Sequence, residues 1–242
     1  MANIGRIAAA AINRRRLTRN EMFMSPAHIA NLTIHIGAGT VALAIGFFLL
    51  TTRKGTARHR RWGRIFCYFT LLVCLSAALG IVAFRFLPLF AVLAVLVFYQ
   101  LVSGWRSVYT QDRGPAVIDG VWTVVAAAFA GALVPVLLSA PGGANITVYS
   151  SLGALAAILL YDTARWLFPR RWFRLLWRYE HSYKLIASIF ALLSALIGNV
   201  VRIGQPWSQI APSAAGLLII LWFFYRSYRQ DPTILAASSA RV

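Results

Sequence analysis

Long apolar runs alternate with short basic connections over most of this 242-residue chain. The runs fall at 27–50, 65–84, 87–105, 118–139, 145–167, 184–203 and 209–227. Each approaches the roughly 20 residues that a helix needs to cross the hydrocarbon at about 1.5 Å per residue. The pattern predicts an all-α fold, a polytopic integral membrane bundle of about seven transmembrane helices. The connections are short, so consecutive helices are expected to be antiparallel neighbours. The chain then divides into a basic N-terminal tail (1–26), a transmembrane helix bundle (27–227) and a short C-terminal tail (228–242). Pro88 and Pro212 are placed in first turns, where a missing N–H costs nothing, and Pro135 predicts a kink in the fourth span. The run from Ile7 to Ile12 is too short for a signal-peptide core and is followed by Arg14, Arg15 and Arg16, so both tails are expected on the mature chain.

Composition agrees with the pattern. Sixty per cent of residues are hydrophobic, 12% are charged and the mean hydropathy is +0.69, whereas a soluble domain carries roughly a quarter charged residues. The excess of 24 Lys and Arg over 6 Asp and Glu could suit nucleic acid, but these cations lie in the short segments that flank apolar runs. Anionic lipid headgroups and the positive-inside rule account for that placement, and no nucleic-acid partner is expected. With the N-terminus outside, only Arg6, Arg14, Arg15, Arg16, Arg19, Arg85 and Arg202 fall outside and the other 17 basic residues fall inside. The bias predicts an N-out, C-in topology.

Two basic segments share a pattern: Arg60-Arg61-Trp62-Gly63-Arg64 and Arg170-Arg171-Trp172-Phe173-Arg174. Arg60, Arg61, Arg64, Arg170, Arg171, Arg174 and Arg178 are the candidate headgroup contacts. In 169–180, Arg170, Arg174 and Arg178 recur every four residues while Trp172, Leu176 and Tyr179 share another face, which predicts an amphipathic helix lying in the headgroup plane. Trp62, Trp105, Trp166, Trp172, Trp177 and Trp207 all fall near span boundaries, as an aromatic belt requires. Cys67 and Cys74 share a face of one span and rigid helix geometry keeps them from bridging, so they read as buried free thiols.

Polar residues inside spans are costly and mark candidate sites. His28 and His35 share a face of the first span, continued by Gly39, Ala42 and Gly46. His181, Lys184, Ser188, Leu192, Ala195 and Asn199 form a stripe along the sixth. By rise alone, His35 lies roughly 12 Å and Asn199 roughly 6 Å below the outer edge, so the two are expected to pair, with the first and sixth helices adjacent. His59 and His181 fall at the inner interface and are expected near one another. They are also the metal candidates, and haem or a metal is possible there without a spacing motif. A diheme arrangement fits poorly, because His28 and His35 share a face and no second histidine lies at the depth of His35. A rhodopsin-like reading fails for want of a lysine in the last span. Asp119 and Asp162 are placed near inner span ends, with Arg165 one turn after Asp162 as its local ion-pair partner. No nucleophile elbow, phosphate loop, HExxH or CxxC is present, so no catalytic residue is assigned.

The run His35-Ile36-Gly37-Ala38-Gly39, then Ala42 and Gly46, then Lys54-Gly55, His59-Arg60 and Gly63-Arg64 resembles the bacterial membrane-protein family catalogued as domain of unknown function 2306. His181 at the head of a span and Asn199 near its far end are similar to that family's second half, and together these stretches span roughly two-thirds of the chain. The resemblance implies a multi-helix bacterial inner-membrane protein in which His35, His59, His181 and Asn199 matter, and it implies no activity. The basic N-terminal tail falls outside it. The absence of catalytic motifs and the small-residue helix faces make a binding module or accessory subunit of a larger membrane complex the first expectation, with other membrane subunits as partners. A haem- or metal-binding redox protein using histidines is the alternative, and a small-molecule transporter the next.

Overall fold

The structure is a computed structural model that describes residues 25–139, 146–201 and 203–229. Most of both tails (1–24 and 230–242), the 140–145 connection and Arg202 lie outside the described residues, as do the expectations placed on them. Seven helices, α1 to α7, are long and apolar enough to cross a membrane, and no strand occurs among the described residues. They describe a multi-pass membrane protein. The fold class and the count of spans are as the apolar runs predict.

Local chemistry sets the helix ends. α1 (Pro26–Thr51) starts at Ser25, whose hydroxyl accepts from the His28 N–H, with Pro26 fixing the first turn. Gly55, at φ +78°, makes the turn into α2 (Ala57–Leu79), which Thr56 caps by accepting from the His59 N–H. α2 runs on through a π-helical turn, Gly80–Phe84, to complete its span. α3 (Pro88–Thr110) begins on a proline and ends in a 3₁₀ turn, Gln111–Arg113. α4 (Val117–Ser139) opens with Asp119 accepting from the Ala116 N–H at 2.8 Å. α5 (Ile146–Ala164) closes in a 3₁₀ turn, Arg165–Leu167. A further 3₁₀ turn, Arg170–Trp172, leads into α6 (Phe173–Val200), and α7 (Trp207–Arg229) follows.

α3 and α6 are the centre. α3 packs against α2, α4, α5 and α6, while α6 also holds α1 and α7. One apolar core joins α1, α2, α3 and α6, and includes Ala42, Phe66, Val97 and Ile189. A second joins α3, α4 and α5 through Val92, Tyr99, Leu133 and Leu155. Close approach is set by missing side chains: a Cβ on Gly46 would lie 2.8 Å from the Ile189 side chain, and one on Gly216 2.7 Å from that of Phe190. Outward faces of α4 and α7 expose Val117, Val124, Phe129, Leu218, Leu221 and Tyr225. Water would penalise that surface, and lipid does not.

Two details differ from the sequence reading. Segment 169–180 is not a separate in-plane helix: from Phe173 onward it is the first turns of α6. Arg170, Arg174 and Arg178 are exposed as their spacing suggests. Of the other face, Trp172 is exposed and Leu176 and Tyr179 are half-buried, while the neighbouring Phe173 is buried under the Arg165 guanidinium, 5.8 Å from its ring, and against Gly114. Pro212 is the sixth residue of α7, one turn deeper than placed, and Pro135 is inside α4.

Candidate functional site

Four charged side chains are buried together where α3, α5 and α6 meet. Lys184 is 0% exposed, Glu180 1%, Asp162 4% and Arg165 5%. Sixteen residues precede Asp162 in α5 and two follow it, which puts it roughly 24 Å along that helix, in its last turn. The sequence reading confined these charges to the inner interface. Asp162 is indeed near the end of its span and Lys184 faces inward as its stripe predicts, but the charges are buried among three helices, not paired locally at a solvated boundary.

Asp162 is the hub. Lys184 Nζ donates to its two carboxylate oxygens at 2.6 and 2.8 Å and to Ser103 Oγ at 2.5 Å. Ser103 Oγ donates in turn to Asp162 Oδ2 at 3.0 Å, and the Tyr99 hydroxyl donates there at 2.6 Å. Thr123 Oγ1 stands 2.8 Å from the Tyr99 hydroxyl and brings in α4. The expected local partner Arg165 is farther, with Nη1 3.5 Å from Asp162 Oδ1, and its closer contact is Nε to Glu180 Oε1 at 2.8 Å. That contact is out of line for a hydrogen bond, so attraction of charges, not a directed N–H, holds it. Tyr161 donates to Glu180 Oε1 at 2.8 Å. The rings of Tyr161 and Tyr183 lie 5.9 and 5.7 Å from Lys184 Nζ, a distance at which ring faces attract a desolvated cation.

Two cations and two carboxylates make the cluster neutral, which is what allows it inside the packed bundle, where a buried charge left unpaired is costly. Glu180 and the cluster's tyrosines, Tyr99, Tyr161 and Tyr183, were not singled out in the sequence. A usable signal was present: Glu180, Lys184 and Ser188 recur every four residues on one face of α6. Asp119 belongs to another pair, with Arg106 Nε at 2.5 Å across α3 and α4.

The histidines divide. His35 does not meet Asn199. Its Nδ1 lies 2.9 Å from Ser76 Oγ and 3.2 Å from Val73 O on α2, and Ser76 donates to Val73 O at 2.9 Å. An Nδ1–H tautomer donating to Ser76 satisfies all three groups. Asn199 instead donates to Ala195 O of its own helix at 2.7 Å and is exposed. α1 and α6 are adjacent, but at Gly46 and Ile189, roughly 16 Å along α1 from His35. The pairing fails because α1 turns its His35 face to α2, its hairpin partner. His35→Ala is expected to cost about 1–2 kcal/mol, and Ser76→Ala added to it less than the two single losses together. Thermal unfolding of the four proteins in one detergent checks this, and strict additivity would remove the pairing.

His59 and His181 do come together, with ring centroids 6.4 Å apart. His181 Nδ1 donates to Gly104 O at 2.9 Å, which leaves Nε2 as its acceptor. His59 Nδ1 is buried without a partner. A metal does not fit here: among the described residues no three His, Cys, Asp or Glu side chains group together, and the charged groups facing His59 are Lys54 and Arg60, which repel a cation. Cys67 and Cys74 are free and buried. The chain was compared with family models, with curated proteins and with solved structures, and nothing matches it.

Proposed function

We propose that the chain is an accessory or binding subunit of a larger complex in the bacterial inner membrane, N-terminus outside, within the family named domain of unknown function 2306. The observation that carries this reading is the matching of buried charge, two against two, among α3, α5 and α6. These groups neutralise one another and so fasten the scaffold, with no net charge left to hold a cargo. The outer faces of α4 and α7 supply the surfaces for another membrane subunit, and the distribution of basic residues supports the orientation.

Extracted gently from its own membrane, the full chain is expected to migrate above its 26.7 kDa with one further membrane polypeptide in fixed ratio. Leu218→Arg and Leu221→Arg on α7 should release that polypeptide while leaving the melting temperature of the purified chain unchanged. A transport reading is favoured by one observation, the buried Glu180 Oε2 and Tyr183 hydroxyl that lack partners. A monomer in the native membrane, together with proton or solute flux into liposomes that Glu180→Gln abolishes, would replace the subunit reading by that one.

A further inference from the structure

At the Lys54 end of the bundle the charge balance is the reverse of the buried cluster. Lys54 reaches back over the C-terminus of α1, donating to Leu49 O at 2.5 Å and Leu50 O at 3.3 Å, with its ammonium 4.8 Å from the Phe223 ring of α7. Partial burial, with Arg226 nearby, pulls its pKa down to about 8. Arg60 is fixed by donation to Gly55 O at 2.6 Å. The charged and titratable groups that face Lys54, His59 and His181 are Lys54, Arg60, Arg226 and the two imidazoles themselves. Among the described residues no carboxylate pairs with any of them, since the ion-paired acids are committed elsewhere: Asp119 to Arg106, Asp162 to Lys184 and Arg165, Glu180 to Arg165.

Like charges held close by side chains that already have fixed hydrogen bonds are costly, and an anion between them removes the cost. Three further facts point to one. The His59 Nδ1 is buried and unpartnered, and in the Nδ1–H tautomer it has a proton to donate to an anion. It stands in the first turn of the 23-residue α2, where the helix dipole favours negative charge. Trp62, one turn on, packs edge-on against Phe48 at 5.7 Å, the amphipathic ring placement of a headgroup boundary.

We propose that Lys54, His59, Arg60 and Arg226 form a site for the phosphate group of an anionic phospholipid. The lipid source is favoured over free phosphate by what adjoins the cations: Phe47 and Phe48 of α1 are exposed at 40% and 39% on the apolar side, where acyl chains would run. Lys54 and Arg226 come from the α1–α2 turn and from α7, so a bound phosphate also ties α7, which packs chiefly on α6, to the first hairpin.

The test uses the purified full chain and native mass spectrometry after exchange into micelles doped with phosphatidylglycerol or phosphatidylcholine. The chain is expected to retain one phosphatidylglycerol in preference to phosphatidylcholine. The double variant His59→Gln and Arg226→Gln, which breaks none of the hydrogen bonds described above, should reduce that retention roughly ten- to thirtyfold, the contribution of one juxtamembrane cation and one imidazole hydrogen bond. Arg174→Gln with Arg178→Gln, on the exposed face of α6, should change it less than twofold. Equal loss in the two double variants, or equal retention of both lipids, would overturn the site. Displacement of the lipid by excess inorganic phosphate that itself remains bound would keep the phosphate chemistry and overturn the lipid source.

Discussion

Lys184→Ala is expected to lower the stability of the purified protein by about 3–5 kcal/mol, the usual result of leaving one member of a buried ion pair alone. Asp162 would lose both of its contacts from Lys184 at 2.6 and 2.8 Å and keep only the hydroxyls of Tyr99 and Ser103, with Arg165 at 3.5 Å. The carboxylate is 4% exposed, so water does not take the place of the ammonium. Asp162→Leu alone should cost a similar amount for the mirror reason. The double variant Lys184→Met with Asp162→Leu should recover most of either loss, because an apolar pair of similar volume removes the desolvation term along with the attraction. Unfolding curves of the wild type, Lys184→Met, Asp162→Leu and their double variant in one detergent give the coupling directly. A Lys184→Ala loss below about 1 kcal/mol, or a double variant as weak as the two losses added, would show that the pair does not hold α5 to α6.

Why the cluster was only half legible follows from its residues. Span counting succeeded because each helix must satisfy its own backbone across the hydrocarbon, so length and apolarity report it whatever its neighbours are. Glu180 and Lys184 stand directly after Arg170, Arg171, Arg174 and Arg178, and charge in such a segment resembles an interface. What distinguishes them is the face they occupy, since α6 buries Glu180 and Lys184 while exposing Arg174 and Arg178. The His35 error has a different origin. Depth alone admits any helix at that level, whereas hairpin register is sharper: His35 and Ser76 are nearly equidistant from the Gly55 turn, and residues equidistant from a tight turn meet. Asn199 satisfies the depth condition only. The neighbourhood of His59 and His181 was readable because both lie at the same end of their spans, but the cations that decide against a metal there come from Lys54 and Arg60, and their positions depend on side-chain hydrogen bonds to Leu49 O and Gly55 O.

Gly104→Ala is expected to destabilise the protein by about 1–3 kcal/mol, the ordinary cost of inserting a methyl into a packed interface. In a helix the same change otherwise adds roughly 0.5–1 kcal/mol of stability, so the sign here is set by tertiary contact. The new Cβ would lie 2.7 Å from Lys184 Cβ and 3.0 Å from Leu185 Cδ2. Lys184 Cβ cannot swing aside: it is fixed to the α6 backbone, and the far end of the chain is anchored on Asp162 and Ser103. α3 and α6 must therefore separate, which stretches the Lys184 contacts and the His181 donation to Gly104 O together. Two comparisons isolate the cause. Gly37→Ala on α1, where a Cβ meets nothing within 4 Å, should be neutral or stabilising. Leu185→Ala in the Gly104→Ala background should recover only part of the loss, because it removes the 3.0 Å contact and leaves the one with Lys184 Cβ. Full recovery by Leu185→Ala, or a stabilising Gly104→Ala, would mean that α3 and α6 are not held at glycine distance beside the buried charges.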